Sequence, residues 1–181
     1  MSKKELIMPP LVLTIICLVV TAALVFTYQF TKPYIEAATA AAANAARSEV
    51  FPGEFTFEEQ DSAALNMEGL VDLYLAKDAA GNEVGCVITA AAKGFNGLVN
   101  VMVGIDSEGA ITGVKLMDHD ETPGLGTKTG EPDFTSQFQG KTADSLSEVV
   151  SISGATITST AFRNAVDIAM AAYQAVAGGA N

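Results

Sequence analysis

Hydrophobic and polar positions divide the chain into stretches of different rhythm. Between Glu5 and Lys32 there is no charged residue, and Leu11 to Phe30 is a mostly apolar run. A helix rising about 1.5 Å per residue needs about 20 such residues to cross a bilayer's hydrocarbon core, so this run predicts a membrane-spanning helix. Pro33 to Val50 is alanine-rich, with Pro33 placed for a first turn and Pro52-Gly53 as a stop. That pattern predicts a second helix, connecting the anchor to the rest of the chain. Glu54 to Glu68 is acidic and irregular and predicts no element.

From Val71 the period becomes two. Val71 to Leu75 alternates, Asp78 to Asn82 turns, and Val84 to Ala91 runs back as a buried strand. Gly94-Phe95-Asn96-Gly97 turns again. Leu98 to Ile105 and Ala110 to Met117 are two more strands about the hairpin loop Asp106 to Gly109. Asp118 to Pro132 has no helical or strand period, and Thr135 to Gln139 predicts a short helix ended by Gly140. Val149 to Ile152 reads as a short β segment. After it, Phe162, Val166, Met170, Tyr173 and Val176 fall at helical spacing, and Gly178-Gly179 marks the helix end. The predicted class is α+β: an antiparallel sheet with packed helices, preceded by one N-terminal transmembrane helix. Residues 1–32 form the cytoplasmic N-terminus and anchor in the lipid bilayer, 33–53 the helical connector and 54–181 the extracytoplasmic domain.

Lys3 and Lys4 place the N-terminus in the cytoplasm by the positive-inside rule, weakened by Lys32 on the far side. The rival is a cleaved signal peptide with Ala38-Thr39-Ala40 as its site. The apolar run is too long for that, and the site lies well beyond its end. The whole chain has 10 basic and 21 acidic residues. Lys3, Lys4 and Lys32 but only Glu5 among the acids lie in the first 32 residues, so the remainder is more acidic still. No nucleic acid is expected as a partner, since its binding demands a basic surface. Cys17 and Cys86 lie on different elements, so no disulfide is predicted. With no Cys-x-x-Cys and a single histidine, the chain supplies neither an iron–sulfur cluster nor a His-rich metal site. Gly-x-Gly-x-x-Gly is also missing, so nicotinamide binding has no fingerprint.

Two stretches carry candidate chemistry. Ser153-Gly154-Ala155-Thr156-Ile157-Thr158-Ser159-Thr160 is a turn of small and hydroxyl residues before a helix. Gly154 and Ala155 permit close approach to the backbone, and the helix start offers unpaired N–H groups to an anion such as phosphate. The plain alternative is a hydroxyl cap. His119-Asp120-Glu121 reads, on its own, as a solvated acidic turn rather than an acid/base or metal cluster, because consecutive side chains do not converge.

Together the two stretches resemble the FMN-binding subunits of membrane redox complexes. Ser153-Gly154-Ala155-Thr156 is similar to that family's flavinylation motif. His119 to Gly126, including Thr122-Pro123-Gly124-Leu125-Gly126, resembles its loop over the flavin ring. Length and single anchor resemble the G subunit of the Rnf electron-transport complex, with the C subunit of the sodium-translocating NADH:quinone reductase as a longer relative. The resemblance implies covalent FMN, joined by a phosphodiester to Thr156, with Ser153, Gly154, Ala155 and Thr158 around it. It implies that Glu121 and Thr122 bond polar edges of the ring, that Leu125 packs on its face, and that Gly124 shapes the loop. Lys128 would attract the charge of reduced flavin or phosphate, or is a surface lysine. Gly94-Phe95 matches a glycine–aromatic turn of the family, with a core aromatic as the alternative. Arg163 is a phosphate partner or solvated.

The implied function is electron relay within a membrane-bound ferredoxin:NAD+ oxidoreductase coupled to ion translocation. Its implied partners are other integral-membrane and redox subunits, with a flavin transferase for maturation. An uncharged helix offers no path for ions, so their route belongs to other subunits. Two rival readings are an anchored non-redox interaction module and a stand-alone extracellular flavin reductase.

Overall fold

The computed structural model describes residues 3–178. The chain divides into two units, Met1–Asn44 and Ala45–Asn181. One helix, α1 (Lys3–Val50), supplies all of the first unit's described structure and the opening turns of the second. Side chains from Met8 to Ile35 are exposed, and the helix is long and apolar enough to cross a membrane. The threonine hydroxyls in this stretch return to the helix's own backbone: Thr14 donates to the Pro10 carbonyl, Thr27 to Ala23 and Thr31 to Thr27. Such back-bonding leaves few polar groups to solvate in hydrocarbon. Pro33 lies inside α1 rather than opening a second helix. An interior proline costs about 3 kcal/mol. In apolar surroundings a full break would cost several kcal/mol for each backbone group left bare.

In the second unit, five strands form an antiparallel meander in the order β1 to β5. They are β1 (Thr56–Gln60), β2 (Leu70–Lys77), β3 (Glu83–Lys93), β4 (Leu98–Asp106) and β5 (Ile111–His119). The period of two sorts side chains to two faces. On one, Cys86, Ile88 and Ala90 of β3 and Val99, Val101, Val103 and Ile105 of β4 are buried. They lie under α3 (Thr156–Gly178), which contributes Phe162, Ala165, Val166 and Ala169 at helical spacing. Phe134 and Phe138 pack their rings 5.3 and 5.2 Å from that of Phe162. Burial pushes the Cys86 thiol up to about 12.

The other face carries Ala76, Val87 and Met102, covered by Ala46, Val50 and Phe51. The Arg47 guanidinium sits 3.6 Å over the Tyr74 ring. Gly104 and Gly113, paired across β4 and β5, lie under the last turn of α1. A Cβ on Gly104 would stand 2.4 Å from the Val50 carbonyl oxygen, and one on Gly113 2.9 Å, so only glycine lets the turn come this close. The Thr112 hydroxyl donates to the same carbonyl at 2.5 Å.

Several expectations are corrected. Val149 to Ile152 is not a strand, because its N–H groups go elsewhere. Val149 donates to the Leu146 carbonyl, Val150 to Gln137 Oε1 and Ile152 to Ser159 Oγ. The stretch that predicted no element contains β1, an edge strand held by its ladder to β2 and a Glu58–Lys77 ion pair. Asp61 then caps a 3₁₀ turn, Ser62–Leu65. The expected helix at Thr135 to Gln139 is instead one α turn, α2 (Pro132–Thr135), followed by a 3₁₀ turn, Ser136–Phe138. The aperiodic segment 118–132 holds the end of β5 and the 3₁₀ turn Gly126–Gly130. α3 opens at Thr156, inside the hydroxyl-rich turn, and reaches Gly178; Gly179 lies outside the described residues.

Candidate functional site

Three pieces of chain meet where α3 begins: the turn between β3 and β4, the loop after β5, and the first turn of α3. They enclose a cleft of about 330 Å³ lined by Phe95, Glu121, Thr122, Leu125, Gly126 and residues 154–158. The approach to α3 is sharp. Gly154 takes a left-handed φ of +82°, and the Ala155 N–H donates to the Ile152 carbonyl at 3.0 Å. The first intrahelical bond runs from the Ser159 N–H to the Ala155 carbonyl at 2.9 Å. The N–H groups of Thr156, Ile157 and Thr158 therefore precede the ladder, at the positive end of the helix dipole.

The hydroxyls of this turn differ in environment. Thr156 is exposed and lines the cleft. Thr158 is only 3% exposed, and its hydroxyl donates to Glu121 Oε2 at 2.6 Å. Ser159 is fully buried and accepts the Ile152 N–H. Ser153 is exposed but outside the cleft lining.

Glu121 is 4% exposed, not solvated. Its Oε1 accepts from the N–H groups of Phe95 (2.8 Å) and Asn96 (3.1 Å). Burial opposes the charge. Hydrogen bonds from the Thr158 hydroxyl and from the backbone of Asn96, Phe95 and Gly97 outweigh it and hold the carboxyl below the ordinary carboxylate range. Its neighbours do not converge with it: His119 turns back to accept the Glu121 N–H at 3.3 Å, and Asp120 is exposed. No group of three metal-ligating side chains is present among the described residues.

The structure thus brings together Thr156, Gly154, Ala155, Thr158, Glu121, Thr122 and Leu125 of the sequence-predicted residues. Lys128 is exposed and, like Gly124 and Ser153, lies outside the lining. Arg163 donates to the Val149 carbonyl at 3.4 Å and borders a separate depression with Asp144 and Asp167. Phe95 is no core aromatic: the residue is 65% exposed and lines the cleft together with the exposed Leu125 and Ile157. Ile157, part of the hydroxyl-rich stretch but given no role there, is exposed and lines the cleft; an apolar residue inside a hydroxyl run is the signal that marks it.

An apolar rim of Phe95, Leu125 and Ile157 over free helix N–H groups suits a flat aromatic ring carrying a phosphate. Comparison with known proteins agrees. Residues 94–171 match the FMN-binding domain family. The chain is 32% identical to the G subunit of the Na(+)-translocating ferredoxin:NAD(+) oxidoreductase complex of Acetobacterium woodii, over 91% of this chain and 89% of that one. It is 32% identical to the G subunit of the ion-translocating oxidoreductase complex of Methanosarcina acetivorans, over 93% and 95%. Among solved structures, NqrC of Shewanella oneidensis superposes with a TM-score of 0.51 at 18% identity, over 74% of each chain, a likeness of fold.

Proposed function

The chain belongs to the G-subunit family of ion-translocating oxidoreductase complexes and contains that family's FMN-binding domain; from this premise we propose that FMN is held covalently, by a phosphodiester to Thr156. The observation that carries the proposal is the contrast among the hydroxyls of the turn. Thr156 combines exposure with a place in the cleft wall, whereas Thr158 and Ser159 are buried and engaged. FMN, when bound, takes up electrons and passes them on.

The chain's own groups divide the work of holding it. The N–H groups opening α3, at the dipole's positive end, would hold the phosphate. Gly154, with no side chain, leaves room beside Leu125. Phe95, Leu125 and Ile157 shield the ring from water. In the attachment reaction the donor is flavin adenine dinucleotide and the catalyst a flavin transferase. A bond forms from Thr156 Oγ to the flavin-side phosphorus, the pyrophosphate P–O bond breaks, AMP leaves and the hydroxyl proton is released. No electrons change hands in this step.

The protein is membrane-anchored through α1. Within the proposal, residues 1–32 are the anchor, 33–53 the connector and 54–181 the flavin domain. Lys3 and Lys4 keep the N-terminus cytoplasmic, which puts the flavin domain outside. There a covalent link prevents loss of the cofactor. The domain relays electrons between neighbouring redox subunits of an Rnf-type complex that couples ferredoxin and NAD+ chemistry to ion movement.

Flavin fluorescence in a denaturing gel tests the attachment, with wild type and Thr156→Ala each co-expressed with a flavin transferase. A fluorescent wild-type band that disappears in the variant is expected. Fluorescence in both overturns the choice of Thr156, and fluorescence in neither overturns covalent attachment.

A further inference from the structure

The cleft is assembled from segments far apart in sequence, and one side chain joins them. Glu121 sits in the loop after β5. Its Oε1 reaches the turn between β3 and β4 through the Phe95 and Asn96 N–H groups. Its Oε2 reaches the first turn of α3 through the Thr158 hydroxyl. On the reading that Thr156 receives the flavin, we propose that Glu121 is a positioning residue. Its carboxylate sets the Phe95 rim and the Thr156 hydroxyl in register for attachment, and does so without touching the flavin.

The carboxylate's surroundings fit a brace better than a ligand contact. It is almost wholly enclosed, and both oxygens are already taken by protein donors. The chain also lacks side chains at the two points where they would expel it. A Cβ on Gly94 would lie 2.4 Å from Oε1, and one on Gly126 2.8 Å from Oε2. Those glycines flank the carboxylate from two different segments, so the space is shaped for it from both sides.

The bond to Thr158 gives the brace its hold on chemistry. Thr158 and Thr156 belong to the same helical turn. Fixing the Thr158 hydroxyl fixes the rotation of that turn about its axis, and with it the direction in which the Thr156 side chain leaves. The other arm fixes the backbone of Phe95, whose exposed side chain also lines the cleft. The separation between the ring's apolar wall and the acceptor hydroxyl is then determined by one carboxyl group.

The brace works through hydrogen bonds, which an amide can imitate. In Glu121→Gln the amide oxygen still accepts from Phe95 and Asn96, and the amide nitrogen donates to Thr158 Oγ1. In Glu121→Ala two N–H groups and a hydroxyl are left without partners.

The test uses the full-length chain, extracted from membranes after co-expression with a flavin transferase. Covalent flavin per folded protein is read in denaturing gels, and apoprotein melting is followed in parallel. Attachment is expected to fall about tenfold or more in Glu121→Ala and to be rescued in Glu121→Gln. Wild-type attachment in Glu121→Ala overturns the proposal. So does an equal loss in both variants at unchanged melting temperature, since the amide preserves the bonds. If Glu121→Ala does not fold, Thr158→Val cuts the arm to α3 alone. Reduced attachment there supports the brace, and undiminished attachment overturns it. Failure of the attachment reading shows separately, as a wild type without covalent flavin. In that case quenching of added FMN is read on the same variants, with the same order required.

Discussion

The core beneath α3 and the cleft at its first turn lie along one helix, yet they are held by opposite means. Beneath the helix, Phe162, Val166 and Ala169 meet Ile88, Val101 and Val103 with no polar atom to orient them. At its start, a single buried carboxylate fixes three segments through directional bonds. Apolar packing depends on volume and tolerates rearrangement, whereas the cleft depends on individual atoms. Core substitutions should therefore cost stability, and cleft substitutions should cost flavin attachment.

The sharpest separation comes from Phe162→Ala, which empties the centre of the Phe134–Phe138–Phe162 cluster. It should lose about 3–5 kcal/mol in chemical denaturation while the fraction still folded attaches flavin normally. A selective loss of flavin in that variant would break the comparison. Gly126→Ala is the reverse case. Its new Cβ meets Glu121 Cβ at 2.7 Å, so the brace must shift. It should cost about 1–3 kcal/mol, with a larger proportional fall in attachment. Equal falls in both would make the cleft an ordinary part of the core.

Acid distinguishes the two regions more gently. The Glu121 carboxyl is held below its ordinary range in the folded protein. Its contribution is therefore present above the unfolded-state value and lost as pH drops through the folded one. Wild type should lose its margin over Glu121→Gln as pH falls below the ordinary carboxylate range, and a margin that grows in acid would contradict the assignment. Lys128→Ala is expected to have the smallest effect. This exposed lysine lies outside the cleft, so melting temperature and flavin attachment should both stay at wild-type levels. Weakened attachment would draw Lys128 into the site.

The sequence rendered the packed region more fully than the cleft, and for the same reason. Alternation along β2 to β5 and helical spacing from Phe162 onward are direct imprints of burial, so the meander and α3 were legible. β1 was not, because Thr56 to Gln60 has one apolar residue and owes its shape to its partner strand. Val149 to Ile152 misled in the other direction. Its β-branched residues promise a ladder, but the side chains of Gln137 and Ser159 claim two of its donors.

In the cleft, the hydroxyl-rich turn was visible as residue types, but the division between Thr156 and Thr158 was not. It depends on which hydroxyl meets a carboxylate 37 positions away. Nothing in His119-Asp120-Glu121 marks the last residue as the buried one. That follows from N–H groups presented by the turn at Phe95 and Asn96, which only the folded sheet places there. Phe95, left open between a glycine–aromatic turn and a core aromatic, is decided by the same logic: its N–H is bonded to Glu121 while its side chain stays exposed, which excludes the core alternative.

Cys86 has a practical use that comes from its burial. Thiol reagents react with the thiolate, and this thiol is both enclosed and pushed up to about 12. It stays silent until β3 parts from α3. Each alkylation of Cys86 then counts one opening of the core, making the residue a built-in clock of unfolding. Cys17, exposed on the apolar stretch of α1, is the chain's other thiol. A charged reagent that does not enter hydrocarbon would leave it unmarked, so the clock can be read on the whole chain in its membrane.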